Sequence, residues 1–160
     1  MRPGELLCST YNRRMPLSGE YAPSTAERAR NQVETYEASD GARANTVMGI
    51  PIVVLTSVGA RSGQLRKTPL MRVEHDGQFL VVGSLGGAPQ NPVWVYNLRQ
   101  NPMVELQDGA EKHDYIAREL AGDERELWWK RAVEAFPYYA GYQKKTDRLI
   151  PIFLLTRTDT

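Results

Sequence analysis

Short runs of apolar, β-branched residues alternate along this chain with turns rich in Gly, Pro, Asn and Asp. Residues 51–57 (Pro-Ile-Val-Val-Leu-Thr-Ser) are continuously apolar, the pattern of a strand buried on both faces. Residues 66–74 interleave Leu70, Met71 and Val73 with Lys67, Arg72 and Glu74; Asp76-Gly77 then marks a hairpin into a strand at 78–84. Strands at 103–107 and 112–119 flank another Asp-Gly turn, and 150–156 supply a last apolar strand. Ser24 and Glu27 have the spacing of a capping box for a helix at 25–39, whose face carries Ala26, Ala29, Val33 and Tyr36. Asn91-Pro92 opens a helix at 93–100, with Asn91 as cap, and Asn101-Pro102 stops it. Asp123 caps a helix at 124–135 with Trp128, Trp129, Ala132 and Val133 on one face; a further helical turn or two follows Pro137.

This gives about six strands and three or four helices. The connections are tight turns, and the crossover helices of a parallel sheet are missing. The expected class is α+β: a mainly antiparallel barrel or curved sheet with peripheral helices. Residues 1–23 read as an N-terminal arm and 24–160 as the folded domain. Tyr11, Met15, Leu17 and Tyr21 in the arm offer apolar side chains to a second subunit, so a homodimer is an open expectation.

Composition removes several classes of function. With 20 Lys and Arg against 19 Asp and Glu, the net charge of +1 exerts no global pull on nucleic acid. Two histidines and one cysteine leave little for a metal site, so no metal is expected. No apolar run reaches the roughly 18–20 residues of a membrane span. The start of the chain lacks the apolar core of a signal peptide. Together with the lone Cys8, this points to the cytoplasm, with peripheral membrane contact by the arm left open.

The candidate chemistry lies in two glycine-rich loops, each following an apolar run. The first brings Arg61, Arg66 and Lys67 around Ser62 and Gly63, a clamp for phosphate or carboxylate or else a solvated hairpin end. It lacks the Gly-Lys-Ser/Thr of a P-loop and the Gly-x-Gly-x-x-Gly of a dinucleotide fold. The second, Ser84-Leu85-Gly86-Gly87, lets backbone approach a planar ring, with Trp94 a helical turn beyond. If the hairpin at 76–77 forms, Arg66 and Ser84 become near neighbours across it. Phe136, Tyr138, Tyr139 and Tyr142 form an aromatic cluster that either packs or lines a pocket.

Together these motifs resemble the deazaflavin (F420)-dependent nitroreductase family, from about residue 31 onward. The marks are Gly59-x-Arg61-Ser62-Gly63-x-x-Arg66-Lys67-x-Pro69-Leu70, Ser84-x-Gly86-Gly87-Ala88-Pro89 and Asn91-Pro92-x-Trp94. Tyr139-x-x-Tyr142-Gln143 and Thr146-Asp147-Arg148-x-Ile150-Pro151 complete the set. The resemblance implies a split β-barrel and reduced coenzyme F420 as hydride donor to a small quinone, enone or nitro acceptor. It implies that Arg61, Ser62, Gly63, Arg66 and Lys67 hold the anionic tail of the cofactor, with Pro69 in the same motif. Ser84, Leu85, Gly86 and Gly87 would lie along the ring, Pro92 and Trp94 would complete the pocket, and Tyr139 and Tyr142 would face the substrate as the candidate catalytic proton donors. Leu85 and Phe136 stand where the nitroimidazole-activating branch has lysine and tyrosine. A non-catalytic F420 or flavin carrier, and the same barrel used for FMN or haem, are the competing readings.

Overall fold

The computed structural model describes Leu17 and residues 19–158; Tyr11, Met15 and Cys8 lie outside them. The described chain runs α1 (Glu27–Ala38), β1 (Thr46–Val47), β2 (Ile50–Val58), β3 (Leu65–Met71), β4 (Val73–His75) and β5 (Gln78–Val82). A 3-10 turn (Leu85–Gly87) leads to α2 (Val93–Gln100), β6 (Met103–Asp108), β7 (Glu111–Glu119), α3 (Gly122–Ala135), α4 (Tyr138–Lys144) and β8 (Ile152–Arg157).

All strand pairs are antiparallel, in the order β2-β6-β7-β8-β5-β4, with β3 and the short β1 paired to β2. β3 and β4 are consecutive in the chain yet pair at opposite ends of this series. The sheet therefore curls round into a split barrel. The turning point is Arg72: its amide still bonds Pro51 O at 3.0 Å, whereas Val73 already pairs with Leu80. The Arg72 guanidinium is held by both oxygens of Asp108 at 2.9 and 3.0 Å. The expected single strand at 66–74 is thus two strands joined by a bend.

Strand alternation sorts the apolar residues between two layers. Val53, Leu55, Phe79, Val81, Val104, Leu106, Tyr115, Ala117, Phe153 and Leu155 fill the barrel, which α2 plugs with Trp94, Val95 and Leu98. Leu80, Val82, Ile152 and Leu154 face outward and are covered by Trp128, Ala132, Phe136 and Tyr139 of the α3–α4 region. On another face Val33 and Tyr36 of α1 cover Ile52 and Val54. The Tyr36 hydroxyl accepts a 2.6 Å bond from the Gly109 amide, which fastens α1 to the β6–β7 turn. Each fully buried Val or Leu contributes about 1.5–3 kcal/mol.

The helix starts differ from expectation. Ser24 bonds the Ala26 amide at 3.1 Å, but α1 begins later, with Ala26 at its cap position and no side-chain cap. Pro92, rather than Asn91, occupies the cap position of α2, and Ala121, rather than Asp123, that of α3. Glu20–Ala22, part of the expected arm, lies on the free edge of β3: Leu65 N donates to Glu20 O and Ala22 N to Leu65 O, at 2.6 and 2.8 Å.

Candidate active site

Strand β5 delivers the chain into the turn 83–91, and that turn is pinned from behind. Arg148 donates from Nε to Ala88 O (2.8 Å), from Nη1 to Gly83 O (3.1 Å) and Asn91 Oδ1 (2.7 Å), and from Nη2 to Ser84 O (2.7 Å). Gln143 holds the Arg148 segment in turn, donating to Arg148 O and accepting from the Ile150 amide. Leu85, Gly86 and Gly87 all have positive φ, at 46°, 64° and 83°. For Leu85 this costs about 1–2 kcal/mol. At Gly87 a Cβ would lie 2.7 Å from Tyr142 O, so only glycine lets α4 pack this closely on the turn.

In front of the turn lies an apolar cavity of about 310 Å³. Its lining includes Thr68, Pro69, Leu70 and Met71 from β3, Ser84 and Leu85 from the turn, Pro92 and Trp94 at α2, and Phe136 and Tyr139. Only 4% of Tyr139 is exposed, and its hydroxyl has no hydrogen-bond partner among the described residues. Burial, with the neighbouring Tyr142 adding to it, pushes the Tyr139 phenol well above the usual tyrosine range. It therefore stays protonated and keeps its O–H available to donate. Tyr142 does not line this cavity; its ring packs on Phe136 and Tyr139 at 6.1 and 6.3 Å.

A second cavity, of about 660 Å³, opens on the far side of the α2 start. Gly59, Ala60, Arg61, Ser62 and Arg66 line one wall, with Val93, Tyr96 and Asn97 of α2 opposite. Asn97 ties the two together, accepting from the Ala60 amide at 2.9 Å and reaching Ser57 Oγ at 3.4 Å. Neither Arg61 nor Arg66 forms an ion pair with a described residue.

The structure divides the residues singled out in the sequence. Arg61, Ser62 and Arg66 share the second cavity, while Pro69, Ser84, Leu85, Pro92, Trp94 and Tyr139 share the first. Gly63, Gly86 and Gly87 shape the turns. Lys67 departs from the group. It pairs opposite Thr56 as Arg66 pairs opposite Ser57, so the two side chains leave opposite faces of β3. The Lys67 ammonium is bonded to Glu37 of α1 and lies 4.9 Å from the centre of the Tyr21 ring. Nor does the hairpin join Arg66 to Ser84: its ladder ends at Val73–Leu80, and Arg66 pairs with β2. It is the wall made by α2, shared by both cavities, that brings the loops to one region. Arg148 and Asn97 are the organising residues whose roles were not read from the sequence. Arg148 belongs to a quoted motif, but a distant arginine that bonds backbone carbonyls leaves no local pattern.

The model of the F420H(2)-dependent quinone reductase family matches residues 28–157. The chain belongs to this family. An F420H(2)-dependent quinone reductase of Mycobacterium tuberculosis is 32% identical over 126 residues, covering 76% of this chain and 85% of the relative. The solved structure of an F420-H2 dependent reductase, FDR-A, is 55% identical with a TM-score of 0.64, over 66% of this chain and 94% of that one. A structure described as a domain-swapped dimer is 48% identical with a TM-score of 0.66, over 83% of this chain and all of that one. A haem-binding protein of Mycobacterium smegmatis, at 15% identity and a TM-score of 0.51, over 85% of this chain and 52% of that one, shares the fold alone.

The family's cofactor, a planar deazaflavin with a phosphate and carboxylate tail, fits the donor set. Two arginines with no ion pair among the described residues suit the tail, and an apolar slot beside a glycine turn suits the ring. No group of three His, Cys, Asp or Glu side chains converges as a metal site among the described residues. No described helix is long and apolar enough to cross a membrane.

Proposed function

We propose that this chain binds reduced F420 and reduces a small, apolar, quinone-like acceptor. The observation that carries the reading is the pair of cavities divided by the start of α2, one cationic, one apolar with a buried phenol in its wall. Arg61, Ser62 and Arg66 hold the tail, on a turn that the Gly63 and Gln64 amides close from within. Ser84 to Gly87 edge the ring, and Pro92 and Trp94 close its pocket. When bound, reduced F420 supplies a hydride. The chain's own work is to orient donor and acceptor and to exclude water between them. Tyr139, protonated at working pH, donates a hydrogen bond to an acceptor oxygen as that oxygen gains charge. Tyr142 holds the Tyr139 ring in place. The lining of the apolar cavity carries no cation, which favours a neutral acceptor over an anionic one. A homodimer is also proposed, by likeness to the domain-swapped relative. The cytoplasmic placement rests on the sequence alone.

F420 titrated into the protein should quench its own fluorescence, and FMN should not compete. The F420H2-loaded protein should then turn over a small naphthoquinone. Tyr139→Phe should leave the F420 Kd unchanged and lower kcat about 10²-fold. Tight binding with no turnover on quinones, enones or nitroaromatics would make the protein a carrier instead.

A further inference from the structure

Arg148 gives four hydrogen bonds to the turn 83–91 and forms no ion pair among the described residues. Among the described residues its charge is met by carbonyl and amide oxygens alone. Two of those carbonyls belong to consecutive peptides, Gly83 and Ser84. No peptide bond here is cis. In a trans peptide the carbonyl and the following amide point in opposite directions. Drawing Gly83 O and Ser84 O back toward Arg148 therefore sends the amides of Ser84 and Leu85 the other way. Both residues line the apolar cavity, and neither amide donates a hydrogen bond to a described residue. Between Ser84 and Ala88, both bonded by Arg148, Leu85 holds a positive φ of 46° that its side chain disfavours.

We infer that Arg148 is a positioning residue that aims the Ser84 and Leu85 amides into the ring pocket as a paired donor for a carbonyl edge of the bound heterocycle. The inference rests on the F420 reading above and adds to it the group that sets the pocket's hydrogen-bond direction. The guanidinium never touches the ligand. It polarises two peptides whose far ends do. Lysine cannot replace it fully, because one ammonium cannot span acceptors spread around a planar fork.

The test pairs F420 titration with amide NMR on the full chain. In wild type, the Ser84 and Leu85 amide resonances should move downfield when F420 is added. Arg148→Met should raise the F420 Kd about ten-fold and abolish those two shifts, while the shifts around Arg61 and Ser62 persist. Arg148→Lys should recover part of the affinity. A folded Arg148→Met chain with wild-type Kd overturns the inference. So do Ser84 and Leu85 amides that stay still in a wild-type chain that binds F420, and this second result decides the matter if the Met variant does not fold. A wild-type chain that binds no F420 overturns the cofactor reading itself, and this inference with it.

Discussion

In the proposed reading the two loops serve one end, approach to a ligand, in opposite ways. Turn 59–64 is held by local bonds, Gly59 N to Gln64 O at 2.8 Å and Gly63 N to Gly59 O at 3.0 Å, and by one tie from Asn97 to the Ala60 amide; its Arg61 and Arg66 form no ion pair with a described residue. Turn 83–91 is fixed by an internal cation, by Gln143 and by the close approach of α4. A charged tail tolerates slack, because Coulomb attraction falls off slowly and long side chains can follow it. A ring that must meet its acceptor at a defined distance does not. On that reading the more heavily bonded turn is the one where geometry matters.

The contrast can be broken most forcefully at Gly87. Gly87→Ala places a Cβ 2.7 Å from Tyr142 O at a φ of 83° and should cost about 3 kcal/mol by urea denaturation. Gly86→Ala meets nothing within 4 Å and should cost only about 1 kcal/mol, from its backbone angle. Equal losses would show that the turn is not wedged against α4. In the cationic loop the effects should fall on binding instead. Arg66→Ala should raise the F420 Kd about ten-fold, more at low salt, with the melting temperature unchanged. Lys67→Ala should do the reverse: a Kd within about two-fold of wild type and about 1 kcal/mol of lost stability, from its half-buried pair with Glu37. If Lys67 matches Arg66 in binding, the sheet alternation has been misread.

The smallest effect is one of pH. The folded-state pKa of Tyr139 is raised, so the stability it gives is intact below the unfolded tyrosine value of about 10 and is lost as pH rises beyond that. Tyr139→Phe should therefore flatten the decline of stability above about pH 10, measured by urea denaturation. Tyr36, also raised by burial, supplies part of the slope that remains.

Strand and helix positions were legible because their periodicity is local: residues 51–57 and the Asp76-Gly77 turn each appear where the pattern puts them. Long-range partners were not. The bend at Arg72 depends on Asp108, thirty-six positions away, and no window of sequence shows it. Asn91 has the chemistry of a cap, but its oxygen accepts from Arg148 instead. In the site, the identity of the cations was plain, and their direction was not. Arg66 and Lys67 are neighbours in the chain, and the pleat of the strand sends one into the cationic cavity and the other to α1. The aromatic cluster likewise divides, with Tyr139 at the cavity wall and Tyr142 behind it.

The pairing of Tyr21 with Leu65 has a consequence outside the site. β3 bonds to β2 on one side only, so its other side would otherwise show bare amides and carbonyls to any passing chain. The residues just upstream occupy part of that margin in parallel, from Glu20 to Ala22. The barrel thus brings its own selvedge, woven from the stretch expected as a loose arm, and part of its open margin is bound off there.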